Sequence, residues 1–310
     1  MIMSKSTPNT GVEGEPSSEH SAAEKVIRAL ERLAATAERI EQRLLPRIEP
    51  DWDNAAAFRW RRLGLGGTLQ PVLHRHTIQL AQLVAIDAQK AIVEQNTRQF
   101  VAGAPANNVL LTGARGTGKS SLIKAVFNAY CDSGLRLIEV DKADLVDLPD
   151  IVERLYARPE RFIVFCDDLS FDAGEPGFKA LKVALDGSIA AASENVVVYA
   201  TSNRRHLMPE SMQDNLDTLH RDGEIHPAEA VEEKISLSER FGIWLSFYPF
   251  SQDDYLAAVR ASLASYPSSP GENDAMEAAA LRWALGRGSR SGRVAFQFAR
   301  DWAGRHGSVI

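Results

Sequence analysis

The stretch from Val109 to Lys124, VLLTGARGTGKSSLIK, constrains this chain more than any other. A short apolar run without helical period (Val109, Leu110, Leu111) meets Gly113. The residues then read G-x-x-x-x-G-K-S, and an apolar-periodic segment opens at Leu122. That is strand, loop, helix. Only a loop with little side-chain bulk lets backbone N–H groups wrap a triphosphate, which is the use of Gly113, Gly116 and Gly118. Ala114, Arg115, Thr117 and Ser121 complete the cradle, and the helix N-terminus behind it favours anions. Lys119 is placed to reach the outer phosphates and the Ser120 hydroxyl to ligate Mg²⁺. A Gly-rich turn before an ordinary surface helix would read the same locally, so the context decides.

At 310 residues the chain has room for about two domains. No apolar run approaches the roughly 20 residues that cross a bilayer, and the N-terminus lacks the apolar core of a secretory signal. A cytoplasmic location without membrane association is the expectation. Cys131 and Cys166 suggest neither a disulfide framework nor a zinc site, and His74 and His76 stand without a clustered partner. The formal net charge of -6 speaks against a globally basic nucleic-acid footprint, while a local basic patch stays possible.

Residues 1–20 are rich in Ser, Pro, Gly and Glu, a composition that does not support a core, and disorder is the expectation there. Residues 21–74 read as a helical extension. Ser21 and Glu24 have capping-box spacing, and Val26, Ile27, Leu30, Leu33, Ala34, Ala37, Ile40 and Leu44 trace one helix face, read as core packing rather than as a pairing surface between copies. Phe58 and Trp60 alternate with Arg59, Arg61 and Arg62, a mixture that either stacks on nucleic acid or buries its rings under a charged, solvated face. His74 to Phe100 reads as helix.

Beyond the phosphate loop, Leu135–Val140 reads as a strand, and Arg161–Asp168 (RFIVFCDD) as a buried parallel strand that delivers two acids at its carboxyl end. Asp167 would hold Mg²⁺ and Asp168 would activate the attacking water. A fourth strand, Val196–Thr201, ends at Asn203, whose amide can bond the γ-phosphate and the lytic water; a turn-forming Asn is the alternative. Residues 206–238 read as an insertion, 243–248 as a fifth strand, and 251–310 as three helices.

With GARGTGKS, FCDD, TSN, SERFG and GSRSGR in this order, the chain resembles the AAA+ ATPases over about residues 75–310. PANNVLLTGARGTGKSSL, GLRLIEVDK, RFIVFCDDLSF and YATSNRRHLMPE look more closely like a bacterial AAA+ family known only as a domain of unknown function. The resemblance implies a P-loop α/β fold with a parallel five-stranded sheet of order 5-1-4-3-2 over residues 75–250. It also implies a small helical lid at 251–310, ATP in the cleft between them, and sites shared between subunits of a homo-oligomer. Lys119 and Ser120 then match the Walker A lysine and metal ligand, Asp167 the Walker B aspartate and Asn203 sensor 1. Arg240 matches the arginine finger acting in trans, and Arg293 matches sensor 2, with Arg204, Arg205 and Arg290 as rivals.

Asp167-Asp168 stands where most of these proteins carry Asp-Glu, which implies slow hydrolysis. No aromatic-apolar-Gly pore loop follows the second strand, which disfavours an unfolding motor. The expectation is an ATPase using ATP and Mg²⁺ to switch or remodel an unidentified protein partner. A DNA-associated, helicase-loader-like or initiator-like switch is the alternative, and a small-molecule P-loop kinase a third reading.

Overall fold

The computed structural model describes residues 26–36, 50–63, 66–171, 175–186, 193–203, 239–266 and 274–306. Helix 26–36 (α1) belongs to a separate compact unit from the sheet and lid. Its apolar stripe does not pack as core: Val26, Ile27, Leu30 and Leu33 are all more than half exposed. Ala37, Ile40 and Leu44 of that stripe, residues 1–20, Arg204, Arg205 and the 206–238 insertion lie outside the described residues.

One sheet organises the second unit. Its strands are β1 (Ala57–Leu63), β2 (Gly66–Pro71), β3 (Val109–Gly113), β4 (Leu135–Glu139), β5 (Arg161–Cys166), β6 (Val196–Ser202) and β7 (Ile243–Phe247). They stand in the order β2-β1-β4-β5-β6-β3-β7. The expected five-stranded sheet is thus corrected to seven strands in a longer order. The five strands from Val109 onward run β7-β3-β6-β5-β4 within it, and β1 and β2 extend the sheet past β4. Every pairing from β1 to β7 is parallel.

The two added strands come from the segment expected to be helical. Phe58 and Trp60 are 1% exposed, while Arg59 and Arg61 between and beyond them are partly open, which is a period of two rather than 3.6. The arginines face acids of the neighbouring segment: Arg59 pairs with Glu139 at 2.5 Å, Arg61 with Asp141 at 3.1 Å and Arg62 with Asp147 at 3.5 Å. Trp60 Nε1 donates to Asp147 at 3.0 Å. The aromatic-basic run is therefore a strand that buries its rings and spends its charges within the fold.

Helices α2 (Asp87–Val101) and α3 (Lys119–Tyr130) cover one sheet face, and α4 (Leu148–Leu155) and α5 (Pro176–Asp186) the other. Successive residues of β5 alternate between the two cores, with Phe162 and Val164 on one side and Ile163 and Phe165 on the other, so after the opening Arg161 the strand is apolar and buried throughout. The helix expected from His74 to Phe100 is shorter. Residues 73–79 form an irregular strap, Leu80–Gln82 is one 3₁₀ turn, and the α-helix starts only at Asp87, after Ala85 at φ 62°.

Three helices, α6 (Gln252–Leu263), α7 (Asp274–Arg287) and α8 (Gly292–His306), share a separate core around Tyr255, Val259, Ala280 and Phe298. A true capping box opens α6, where Ser251 Oγ accepts from the Asp254 N–H at 3.1 Å.

Candidate functional site

Because β3, β5 and β6 run parallel, their carboxyl ends open on one edge of the sheet. The register sets Leu111 beside Thr201 and Thr112 beside Ser202. Cys166 stands beside Ala200. Asp167, Thr201 and Asn203 are thereby delivered next to the loop that begins at Gly113. A cleft of about 940 Å³ lies over this edge, lined by the loop residues Arg115–Ser121, by Asp167, Asp168, Thr201 and Asn203, and by Arg293 and Phe296 of α8. His76–Ile78, Leu83, Val84 and Ile86 form a further wall.

The loop has the shape an anion cradle needs. Gly113 sits at φ 129°, and a Cβ there would stand 1.9 Å from the Phe247 carbonyl oxygen. Gly118, in the left-handed region, is the N-cap of α3 and supplies no side-chain acceptor, so no side chain caps the first-turn N–H groups. Thr117 Oγ1 donates to the Ala114 carbonyl at 2.9 Å and braces the bend.

Lys119 is 5% exposed. Its ammonium donates to the Gly113 and Ala114 carbonyls at 2.7 Å each and to Asn203 Oδ1 at 3.0 Å. Burial pulls its pKa below lysine's ordinary 10.5; Asp168 and Asp167 oppose that shift, while Arg293 and Arg115 add to it. A buried cation held by groups it can exchange for phosphate oxygens is a poised anion ligand.

The two acids occupy different environments. Asp167 Oδ1 accepts from Ser120 Oγ and from Thr201 Oγ1, both at 2.6 Å. This convergence of hard oxygen donors fits Mg²⁺, which takes one or two protein ligands and draws the rest from water and phosphate. Among the described residues no group of three or more His, Cys, Asp or Glu gathers into a protein-only metal cage. Asp168 is exposed, lies at φ 53°, anchors its N–H on Thr201 Oγ1 at 3.0 Å and accepts from Asn203 Nδ2 at 2.5 Å. A non-glycine residue in the left-handed region at a cleft is the kind of backbone outlier that accompanies functional sites.

The lid touches the loop through its main chain. The Arg293 N–H donates to the Gly116 carbonyl at 3.3 Å, and a Cβ on Gly116 would meet Ser291 Oγ at 2.9 Å. Arg293 lines the cleft and Arg290 does not; Arg290 instead offers its carbonyl to the Phe250 N–H at 3.3 Å.

Among the described residues, Arg240 is the sequence-selected finger candidate that does not line the cleft. It precedes β7, whose Ile243 pairs with Val109 and whose Phe247 pairs with Gly113. The strand spans about 13 Å, so Arg240 lies off the sheet edge opposite the loop. Sequence reasoning missed Thr201, although its position in the apolar-to-polar switch at the end of β6 marks it. It also missed the 76–78 strap, which has no periodic signal.

Comparison with protein families matches residues 53–306 to a family described as Protein of unknown function (DUF815). The chain belongs to this DUF815 family. The matched span takes in the two added strands as well as the phosphate loop and lid, so β1 falls within what defines a DUF815 member. No curated protein matches the chain.

Among solved structures, the DUF815 chain is similar to the Thermotoga maritima RuvB Holliday junction branch migration motor, at 15% identity and a TM-score of 0.49, covering 74% of this chain and 66% of that one. A point mutant of the same protein matches at 16% identity and 0.49, covering 73% and 65%. The chain thus spans just under two thirds of these neighbours' length.

Proposed function

We propose that this protein is a Mg-ATP-binding ATPase of the AAA+ kind, which hydrolyses ATP in sites completed by a second copy and uses the cycle to switch or remodel a partner protein. The observation that carries the reading is the junction at Asp167 and Asn203: Ser120 and Thr201 converge on one carboxylate while Lys119 meets the adjacent amide. A phosphate loop alone explains an anion. A loop joined to a metal-competent acid and to a second acid that faces the cleft and is held by Asn203 accounts for cleavage of that anion.

The geometry supports the following roles. Loop N–H groups and Lys119 bind the phosphates, and Arg293 adds positive charge from the lid. Mg²⁺, when bound by Ser120 and Asp167, would neutralise charge on the transferring phosphoryl group. Asp168, turned out of the strand and oriented by Asn203, accepts a proton from the attacking water in this reading. Arg240 precedes β7, at the end of that strand away from the phosphate loop, and is not among the residues lining its own cleft, which supports a role in a neighbour's.

The DNA-associated alternative draws no support from the aromatic-basic run, since Arg59, Arg61 and Arg62 face Glu139, Asp141 and Asp147. The test is ATPase rate and light scattering against protein concentration. The rate per chain should rise as oligomers form, Lys119→Ala should lose ATP binding, and Arg240→Ala should bind ATP without turnover. Concentration-independent turnover by a monomer, or normal turnover by Arg240→Ala, removes the shared site.

A further inference from the structure

The cleft has two ends of different chemistry. Near Lys119 it is polar and charged. Elsewhere it is walled by the 76–78 strap, by Leu83, Val84 and Ile86, and by the small lid residues Ala258, Ala261 and Ser262. Small and aliphatic groups in the lining suit a flat, apolar ring, which is the character of a nucleobase.

The strap itself has no ladder to hold it. Residues 73–79 lie outside helix and strand, and His76 and Thr77 are exposed. Its position is set from α3. Asn128 Nδ2 donates to the His76 carbonyl at 2.7 Å and to the Ile78 carbonyl at 2.9 Å. Arg75 reinforces the tie, with its guanidinium 5.9 Å from the centre of the Phe127 ring and Nη1 3.1 Å from Cys131 Sγ. Asn128 lies nine residues beyond Lys119 on the same helix, about 13 Å along its axis. One rigid element therefore carries the phosphate cradle at its first turn and the strap's anchor at its last.

We infer that Asn128 is a positioning residue for the nucleoside half of the ligand: by clamping two strap carbonyls it fixes the base-side wall at a set distance from the phosphate loop. The inference rests on the ATPase reading above and goes beyond it, because it assigns recognition of the base to a residue that does not line the cleft. An amide is the right group, since its nitrogen offers two donors to two carbonyls. An aspartate of the same shape offers none and sets a negative charge against both oxygens.

The test compares two probes, Mg-ATP and magnesium tripolyphosphate, on wild type and Asn128→Asp by calorimetry. The variant should bind ATP about tenfold more weakly or worse, as expected for two lost hydrogen bonds, while tripolyphosphate affinity stays within about twofold. Retained tripolyphosphate binding also demonstrates a folded phosphate loop in the variant. Asn128→Ala should show the same split, because it removes the donors without adding charge.

Equal weakening of both probes, or no weakening of either, overturns the inference. A wild-type protein that binds neither probe removes the ATPase reading itself, and the inference with it.

Discussion

Asn203 Oδ1 accepts from Lys119 Nζ at 3.0 Å while the same amide donates to Asp168 at 2.5 Å. One side chain thus couples the phosphate-binding cation to the carboxylate proposed to activate water. Asn203→Ala should leave ATP affinity within about threefold and lower kcat by about a hundredfold, the scale of a lost preorganised polar contact. Paired binding and turnover measurements check the split.

Asp167 gathers Ser120 and Thr201 on one oxygen. Asp167→Asn and Ser120→Ala should each raise the Mg²⁺ concentration needed for half-maximal turnover by about tenfold or more, since each removes or weakens one of the few protein ligands. Binding of ATP in the presence of a chelator should change little. A magnesium titration of the rate, beside calorimetry in EDTA, separates the two effects.

Gly113 and Gly134 both lie at positive φ, but only Gly113 is crowded, by Phe247. Gly134→Ala should cost about 1 kcal/mol, from backbone strain alone. Gly113→Ala should cost about 2–4 kcal/mol, because a methyl group driven into a strand carbonyl adds displacement to strain. Thermal unfolding of the two variants gives the difference directly.

Burial lowers the Lys119 pKa from 10.5. Deprotonation removes a positive charge from the phosphate cradle, so ATP affinity should begin to fall as pH rises through the folded value, earlier than for an ordinary lysine. The unfolded chain binds more protons in the interval between that value and 10.5, so the folded protein gains stability across it as pH rises. Affinity and melting temperature measured over the alkaline range should therefore move in opposite directions.

Much of the site was legible because its elements announce themselves locally. Val109–Leu111 and Phe162–Cys166 are continuous apolar runs, as strands covered on both faces must be, and each leads into residues that line the cleft. β1 was misread because its alternation is short and its polar positions are arginines, which suit helix and strand faces alike. What decides for the strand is the partner: Glu139 and Asp141 lie about 80 residues away and become neighbours only in the parallel register with β4. The strap and its tie to Asn128 were invisible for a related reason, since hydrogen bonds from a side chain to distant carbonyls leave no periodic trace. The exposed stripe of α1 shows the converse case, where a clear period reports amphipathicity but not what covers it.

The left-handed turn at Asp168 gives the second acid's identity a stereochemical basis. Aspartate and asparagine enter that conformation with little penalty, because their short polar side chains bond locally, whereas glutamate does not share the advantage. The shorter acid is therefore the one this main-chain geometry accommodates, and lengthening it by one carbon would set reach towards water against torsional comfort.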